Sequence, residues 1–377
     1  MQKTRRTVLI GLFLLIALLH LPLEAAEEPS VSARSAVLMD RDSGRVLWKK
    51  NEHRRRPIAS TTKIMTALLA LERGAEGERV KVSGAAAATE GSSIWLEKGE
   101  KKELGELIYG LMLCSGNDAA AAIAEHIGGS EKKFVALMSE RARALGAENT
   151  NFANPHGLPA KNHYSTAYDL ALITCEALKN ERFREIISTP ARTISWPGQP
   201  WDRLLVNQNR LLELYPGADG VKTGWTEKAG RCFVGSATKQ RWQLVAVVLK
   251  SSEIWEDSVA LLDYGFQRYR HQKLFSKNQV LCTAEVMEGR ERAEIAVCKA
   301  YHYPLLPSEQ KRLNYRIRLH DSIRAPLTQG EKLGEVEVYL QKELICCVDL
   351  CALRPVLRKE YSDYLHDLFI LMLQEGW

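Results

Sequence analysis

The chain has 377 residues, 45% of them hydrophobic, with 52 Lys and Arg against 46 Asp and Glu and a formal net charge of +6. That length and apolar content suffice for a sizeable core and two domains. The basic excess is spread rather than blocked, which argues against nucleic-acid binding. No C-x-x-C pair and no H-E-x-x-H occurs, so neither a metal nor a cofactor is expected.

At the N-terminus Lys3, Arg5 and Arg6 precede an uncharged apolar run over 8–19, followed by Pro22 and Ala25-Ala26. This is the three-part pattern of a secretory signal peptide, placed over 1–25, and the run is too short for a permanent span. Its removal takes away three basic residues and Glu24, leaving a formal charge of +4, compatible with work near an anionic envelope. Eight cysteines in an exported chain would ordinarily suggest disulfides. Most lie inside apolar runs, as buried thiols do. The Cys346-Cys347 and Cys351 cluster has room for a bridge, whose connectivity sequence does not give.

The first elements are a strand over 35–40, a turn at Asp42-Ser43-Gly44 and a returning strand over 45–49. The basic loop Arg54-Arg55-Arg56-Pro57 leads into the stretch 59–72, where Ile64, Leu68, Leu69 and Leu71 recur at helical spacing. The spacing predicts a core helix on which Ser60 and Lys63 share a face. A serine needs a neighbouring base to act as a nucleophile. A lysine desolvated against a hydrophobic helix has its pKa lowered and can be that base.

Residues 105–128 read as helix, broken by Ser115-Gly116-Asn117-Asp118, residue types that favour caps over helix interiors. Further helices follow over 131–145 and 168–178, joined by the loop Asn154-Pro155-His156-Gly157-Leu158-Pro159. The segment Asp219-Gly220-Val221-Lys222-Thr223-Gly224-Trp225 opens a β-rich stretch, with strands over 232–237 and 242–249 and a closing helix over 252–269. Helices mid-chain, flanked by strands from both ends, predict a sheet built from the two ends with helices packed on it. Beyond Gln272 short alternating segments read as a small all-β module, and after Pro355 the tail from Val356 to Trp377 reads as an amphipathic helix.

Ser60-Thr61-Thr62-Lys63, Ser115-Gly116-Asn117 and Lys222-Thr223-Gly224 follow one another as the S-x-x-K, S-x-N and K-T-G set of class A β-lactamases and penicillin-binding proteins. Any one is weak; three in order, in suitable elements of an exported chain, are strong. From about Ser32 onward the chain resembles the serine D-alanyl-D-alanine carboxypeptidases of peptidase family S11, low-molecular-mass penicillin-binding proteins, and among them the sporulation-type branch of Gram-positive bacteria. Asp40-x-x-Ser43-Gly44-Arg45-Val46-Leu47, Ile58-Ala59-Ser60-x-Thr62-Lys63, Leu111-Met112-Leu113-x-Ser115-Gly116-Asn117-Asp118 and Asn154-Pro155-His156-Gly157-Leu158 carry the likeness.

The resemblance implies an α+β fold (α/β with antiparallel sheet). It would comprise a β-lactamase/transpeptidase-like catalytic domain over 30–271, a small β-rich domain over 272–354 and a C-terminal amphipathic helix over 355–377. It implies Ser60 as the acyl-ester nucleophile on the peptidoglycan stem peptide ending in D-Ala-D-Ala, with Lys63 as proton acceptor. Ser115 would relay a proton to the leaving D-alanine, supported by Lys222, and Asn117 would orient Lys63 and the substrate amide. Lys222 and Thr223 would meet the terminal carboxylate, and the strand through Gly224 and Trp225 would pair with the peptide. The N–H groups of Ser60 and Trp225 would form the oxyanion hole. β-Lactams would acylate Ser60, and the tail helix would hold the exported enzyme at the membrane surface.

Two positions depart from the family pattern. Gln208 stands between Asn207 and Asn209 where relatives often carry a basic residue, and Cys114 precedes Ser115. Cys114 reads as a packed thiol, and His156 as a loop residue, since the serine already has a lysine base. A class A β-lactamase would need a glutamate to activate deacylating water. Glu148 superficially offers one but reads as surface. A non-catalytic wall-binding homologue is the other alternative, although every motif side chain is intact.

Overall fold

The structure, a computed structural model, describes residues 28–374. The expected signal peptide lies outside the described residues. The chain divides into two compact units. One takes the chain up to Leu38 with Trp48–Ala237 and Val245–Arg268; the other takes Met39–Leu47, Thr238–Leu244 and the chain from Tyr269.

At the centre of the first unit lies helix Lys63–Arg73 (α1), whose first eight residues are all buried. A helix closed to water on every side belongs inside a core. It packs against Leu104–Leu113 (α2), Asn117–Gly128 (α3), Glu131–Ala144 (α4) and Ala167–Ala177 (α5). Local chemistry sets the ends of these helices. Glu103 and Glu106 close a capping box on α2, the Thr166 side chain accepts from the Asp169 N–H at the start of α5, and Gly129 ends α3 at φ +69°.

The main sheet joins Ser35–Asp40 (β1) and Val46–Lys50 (β2) to Ala218–Thr226 (β3), Gly230–Lys239 (β4) and Trp242–Ser251 (β5), in the order β2-β1-β5-β4-β3. Strands from both ends of the chain therefore share one sheet, as the patterning predicts. Central β5 is buried at nine of its ten positions, which is why its sequence is a continuous apolar run rather than an alternation. At one edge β3 pairs antiparallel with β4 only, Lys222 facing Val234 and Gly224 facing Cys232.

Three expectations are corrected. The stretch opening at Ala59 is not α-helical from its start: Ala59–Thr62 is a 3₁₀ turn, and the α-helix begins at Lys63. Ala59 sits at φ +47°, a left-handed conformation that no helix continues through. The expectation of mostly buried thiols holds for Cys175, Cys232 and Cys351. Cys114, Cys282, Cys298 and Cys346 are half-buried and Cys347 is exposed, and no disulfide joins any of the eight.

In the second unit Val280–Ala284, Ala293–Val297, Glu343–Ala352, Lys332–Leu340 and Leu313–Leu319 form a five-stranded sheet in that order, its pairs antiparallel. Ile295, Val297, Val336, Val338 and Leu350 fill its core. The segments Met39–Leu47 and Thr238–Leu244 group here for visible reasons. The Arg45 guanidinium forks onto Glu309 at 2.7 and 3.0 Å and lies over the rings of Tyr269 and Tyr303, while Trp242 stacks on His271. The tail helix is also shorter than its sequence suggests and spans Tyr361–Gln374 (α7, after Ile254–Arg268, α6). Val356 instead bridges Leu327, the Leu357 carbonyl accepts from Arg290, and the Lys359 N–H donates to Glu288. Those backbone groups are spent on the β module and are not available to a helix.

Candidate active site

The 3₁₀ turn, the break between α2 and α3, and the edge strand β3 bring the three motifs together. Ser60 is half-buried, and the Lys63 Nζ lies 3.0 Å from its Oγ. Lys63 has no exposed surface and makes two further contacts, to Asn117 Oδ1 at 2.6 Å and to the His156 carbonyl at 2.7 Å. Those two partners are pure acceptors. A neutral amine has two N–H donors and one lone pair, so satisfying both carbonyls leaves the lone pair for the Ser60 hydroxyl. An ammonium would use all three contacts as donor and have nothing to accept a proton with. Burial, and then the charge of Lys222, hold the Lys63 pKa well below the ordinary lysine value, against an opposing pull from Asp118. Burial likewise lowers Lys222 to about 7.

Asn117 is aimed by its other contacts. Its Nδ2 donates to the Glu90 carbonyl at 2.6 Å and its backbone N–H to the Ser92 carbonyl at 2.7 Å, which leaves Oδ1 for Lys63. Ser115, 4% exposed, lies in the left-handed region at φ +62°. Together with Ala59, it makes two non-glycine residues of the site that hold a conformation costing about 1–3 kcal/mol each, which the surrounding packing must enforce.

Glycines let backbones approach at the reacting hydroxyl. A Cβ on Gly224 would stand 2.8 Å from the Ser60 nitrogen, and one on Gly157, at φ +96°, would stand 2.0 Å from the Ala59 carbonyl oxygen. Strand β3 thus passes directly beside the Ser60 N–H. Along it Lys222 is buried, Thr223 and Gly224 are half-buried and Trp225 is exposed, with the outer edge of the strand unpaired by any strand of its sheet.

The two departures have local accounts. Gln208 Nε2 donates to the Cys114 carbonyl at 3.3 Å, and Asn207 Nδ2 donates to the carbonyls of Ile187 and Thr189. Cys114 is half-buried with its pKa raised by burial, the behaviour of a packed thiol. His156 serves through its backbone carbonyl; burial lowers its imidazole to about 3, and its Nδ1 accepts from Leu158. Glu148 is exposed and is not among the hydrogen-bond partners of Lys63.

Sequence reasoning missed Asp118 as a supporting residue. Fully buried, its carboxylate accepts from Ser93 Oγ at 2.6 Å, Ala119 N at 2.8 Å, Leu96 N at 3.0 Å and Ile94 N at 3.1 Å, and so fixes the 93–96 loop. The available signal was an acid in the first turn of a helix directly after an Asn. The His156 and Glu90 carbonyls carry no side-chain signal at all.

Comparison with known proteins follows the same lines. Residues 23–253 match the model of the D-alanyl-D-alanine carboxypeptidase family, Peptidase_S11, and residues 269–358 match the C-terminal domain of penicillin-binding protein 5. The chain is 36% identical over 377 residues to the D-alanyl-D-alanine carboxypeptidase DacF of Bacillus subtilis, covering 96% of this chain and 94% of that protein. Among solved structures it is similar to penicillin binding protein 5 of Haemophilus influenzae, with TM-score 0.73 and 28% identity, over 88% of this chain and 99% of that one. The Streptomyces K15 DD-transpeptidase matches 63% of this chain and 99% of its own, with TM-score 0.60 and 34% identity.

Proposed function

As the chain belongs to the D-alanyl-D-alanine carboxypeptidase family, we propose the residue roles by which it carries out that family's reaction. It is a serine carboxypeptidase hydrolase acting on peptidoglycan stem peptides that end in D-Ala-D-Ala, of a family that β-lactams typically acylate. Ser60 Oγ attacks the carbonyl of the penultimate D-alanine while neutral Lys63 takes its proton. The tetrahedral oxyanion points at the N–H groups of Ser60 and Trp225, a device worth about 3–4 kcal/mol per donor. Collapse breaks the peptide bond; Ser115, supported by the charge of Lys222, relays the proton held by Lys63 to the departing D-alanine amine, which returns Lys63 to its neutral form. Lys222 and Thr223 hold the terminal carboxylate, a charge-assisted contact. The peptide backbone adds to the open edge of β3. Water, activated by Lys63, then releases the acyl group.

The observation that carries this reading is the Lys63 environment: two carbonyl acceptors and one hydroxyl around a buried amine. The exposure of Glu148 removes the one support for a class A lactamase. Mass spectrometry after penicillin treatment should find a long-lived adduct on Ser60. The variant S60A should show neither adduct nor D-alanine release from a pentapeptide. Fast penicillin turnover, or an adduct elsewhere, would overturn the assignment.

For location we infer an extracytoplasmic enzyme held at the membrane surface by α7, whose residues Leu368 to Leu373 are all exposed apolar side chains. Among the described residues no helix is long and apolar enough to cross a membrane, so an interfacial helix is the form this takes. Similarity to the Bacillus subtilis DacF supports the sporulation-type branch.

A further inference from the structure

His163 lies outside the three motifs and is 7% exposed, yet its ring reaches the turn that carries Ser60. The chain around it is clamped on two sides. Tyr164 exchanges backbone hydrogen bonds with Asn151 at 2.9 and 3.0 Å, and Ser165 does the same with Arg56 at 2.8 and 3.0 Å. The first exchange ties the His163 segment to the 151–153 stretch, where the ring packs edge-on against Phe152. The second ties it to the chain entering the Ser60 turn.

The hydrogen bonds of the ring fix one tautomer. The Ala153 N–H donates to His163 Nδ1 at 3.0 Å, so Nδ1 carries a lone pair. Burial lowers the imidazole to about 4, and a neutral ring then has its one proton on Nε2. Nε2 stands 2.8 Å from Thr62 Oγ1 and donates to it. The fully buried Thr62 hydroxyl spends its own proton on the Ala59 carbonyl, at 2.8 Å. The chain of donors thus runs one way, from ring to hydroxyl to carbonyl. With its lone pair taken and its proton committed, His163 is not a base for the reaction.

The chain ends on the peptide unit that joins Ala59 to Ser60. That peptide is planar and trans, so its C=O and N–H point to opposite sides. Holding the Ala59 carbonyl therefore aims the Ser60 N–H, which lies on the side where Gly224 of β3 passes. Ala59 stands at φ +47°, a conformation its surroundings must enforce. Linked hydrogen bonds also polarise one another, and a carbonyl that accepts makes the N–H of its own peptide a better donor. We propose that His163 is a positioning residue for the oxyanion hole: through Thr62 it fixes the Ala59–Ser60 peptide so that the Ser60 N–H meets the oxyanion of the tetrahedral intermediate. The inference rests on the Ser60 reaction assigned above. The substrate carboxylate is held from β3, so the aim of this N–H bears on the reaction step and not on the first binding.

The test is the rate of penicillin acylation of the full chain, followed up to saturating penicillin and counted per protein that finally acylates. Asparagine places its amide where His163 has Nδ1, and glutamine where it has Nε2. H163Q should therefore keep the bond to Thr62, whereas H163N should lose it and keep the bond from Ala153. We expect the saturated rate to fall about ten-fold in H163N, part of the roughly hundred-fold cost of losing an oxyanion donor outright. In H163Q it should stay near wild type, and the half-saturating concentration should move in neither. T62V, which keeps the shape and removes the hydroxyl, should match H163N, and T62S should match wild type. H163N combined with T62V should be no slower than T62V alone, as expected for members of one chain. A wild-type saturated rate in H163N, an equal loss in H163Q, a loss confined to half-saturation, or losses that multiply in the double variant would overturn the role. The Ser60 assignment fails separately, only if wild type carries no adduct on Ser60.

Discussion

In the proposed reaction two buried lysines have different tasks, and the charge of Lys222 lowers the Lys63 pKa. Lys63 must be neutral to accept the Ser60 proton, and Lys222 must be cationic to meet a carboxylate. Burial works for the first and against the second. The signs give a bell-shaped profile for kcat/KM, which reports the free enzyme. It rises with pH as Lys63 loses its proton and falls above about pH 7 as Lys222 loses its own. K222R, whose guanidinium stays charged, should move the falling limb to higher pH; an unmoved limb would show that another group sets it. A bound substrate carboxylate raises the Lys222 pKa, so kcat should hold to higher pH than kcat/KM.

Single elements matter here chiefly through how closely their backbones meet. The 3₁₀ turn Ala59–Thr62 is clamped between β3 and the 154–158 loop. Thr66 Oγ1 donates to the Pro155 carbonyl at 2.6 Å, and Asn154 bonds both Gly157 N and Leu158 O, so the loop is tied to α1 and to itself. G157A would force a Cβ into the Ala59 carbonyl at a φ that only glycine adopts easily. We expect a loss of about 2 kcal/mol or more in denaturant unfolding. Penicillin acylation should slow more than the population of folded protein explains; unchanged acylation would show that the turn tolerates displacement. The sequence patterning located α1 but extended it over Ser60, because the helical spacing of Ile64, Leu68, Leu69 and Leu71 carries no signal of where the helix starts. Only the left-handed Ala59, seen once Gly157 and Gly224 are packed against it, ends the helix at Lys63.

At the scale of the whole molecule the reaction and its location are separable. The site uses the first unit, whereas α7 follows the β module and leaves its apolar side chains exposed. A chain truncated after Glu360 keeps the Leu327–Val356 bridge and the Lys359 bond to Glu288, so the β module should remain folded. We expect this shortened protein to leave the membrane fraction and to retain D-alanine release within about two-fold, since every proposed site residue belongs to the first unit and α7 to the second. Unchanged fractionation would count against an anchoring role for α7.

The sequence alone determined the family resemblance, the order of the motifs, the two-ended sheet and the choice of Ser60 and Lys63. Each of these is written in side-chain identity and in short-range spacing. It did not contain Asp118 as organiser of the 93–96 loop, the two carbonyl acceptors around the Lys63 amine, the start of α7 at Tyr361 or the cleft beside Ser115. The tertiary structure decided those, because they depend on where backbone groups from distant segments find their partners. Every residue carries the same N–H and C=O, so the sequence pattern does not reveal which of them a buried amine will meet.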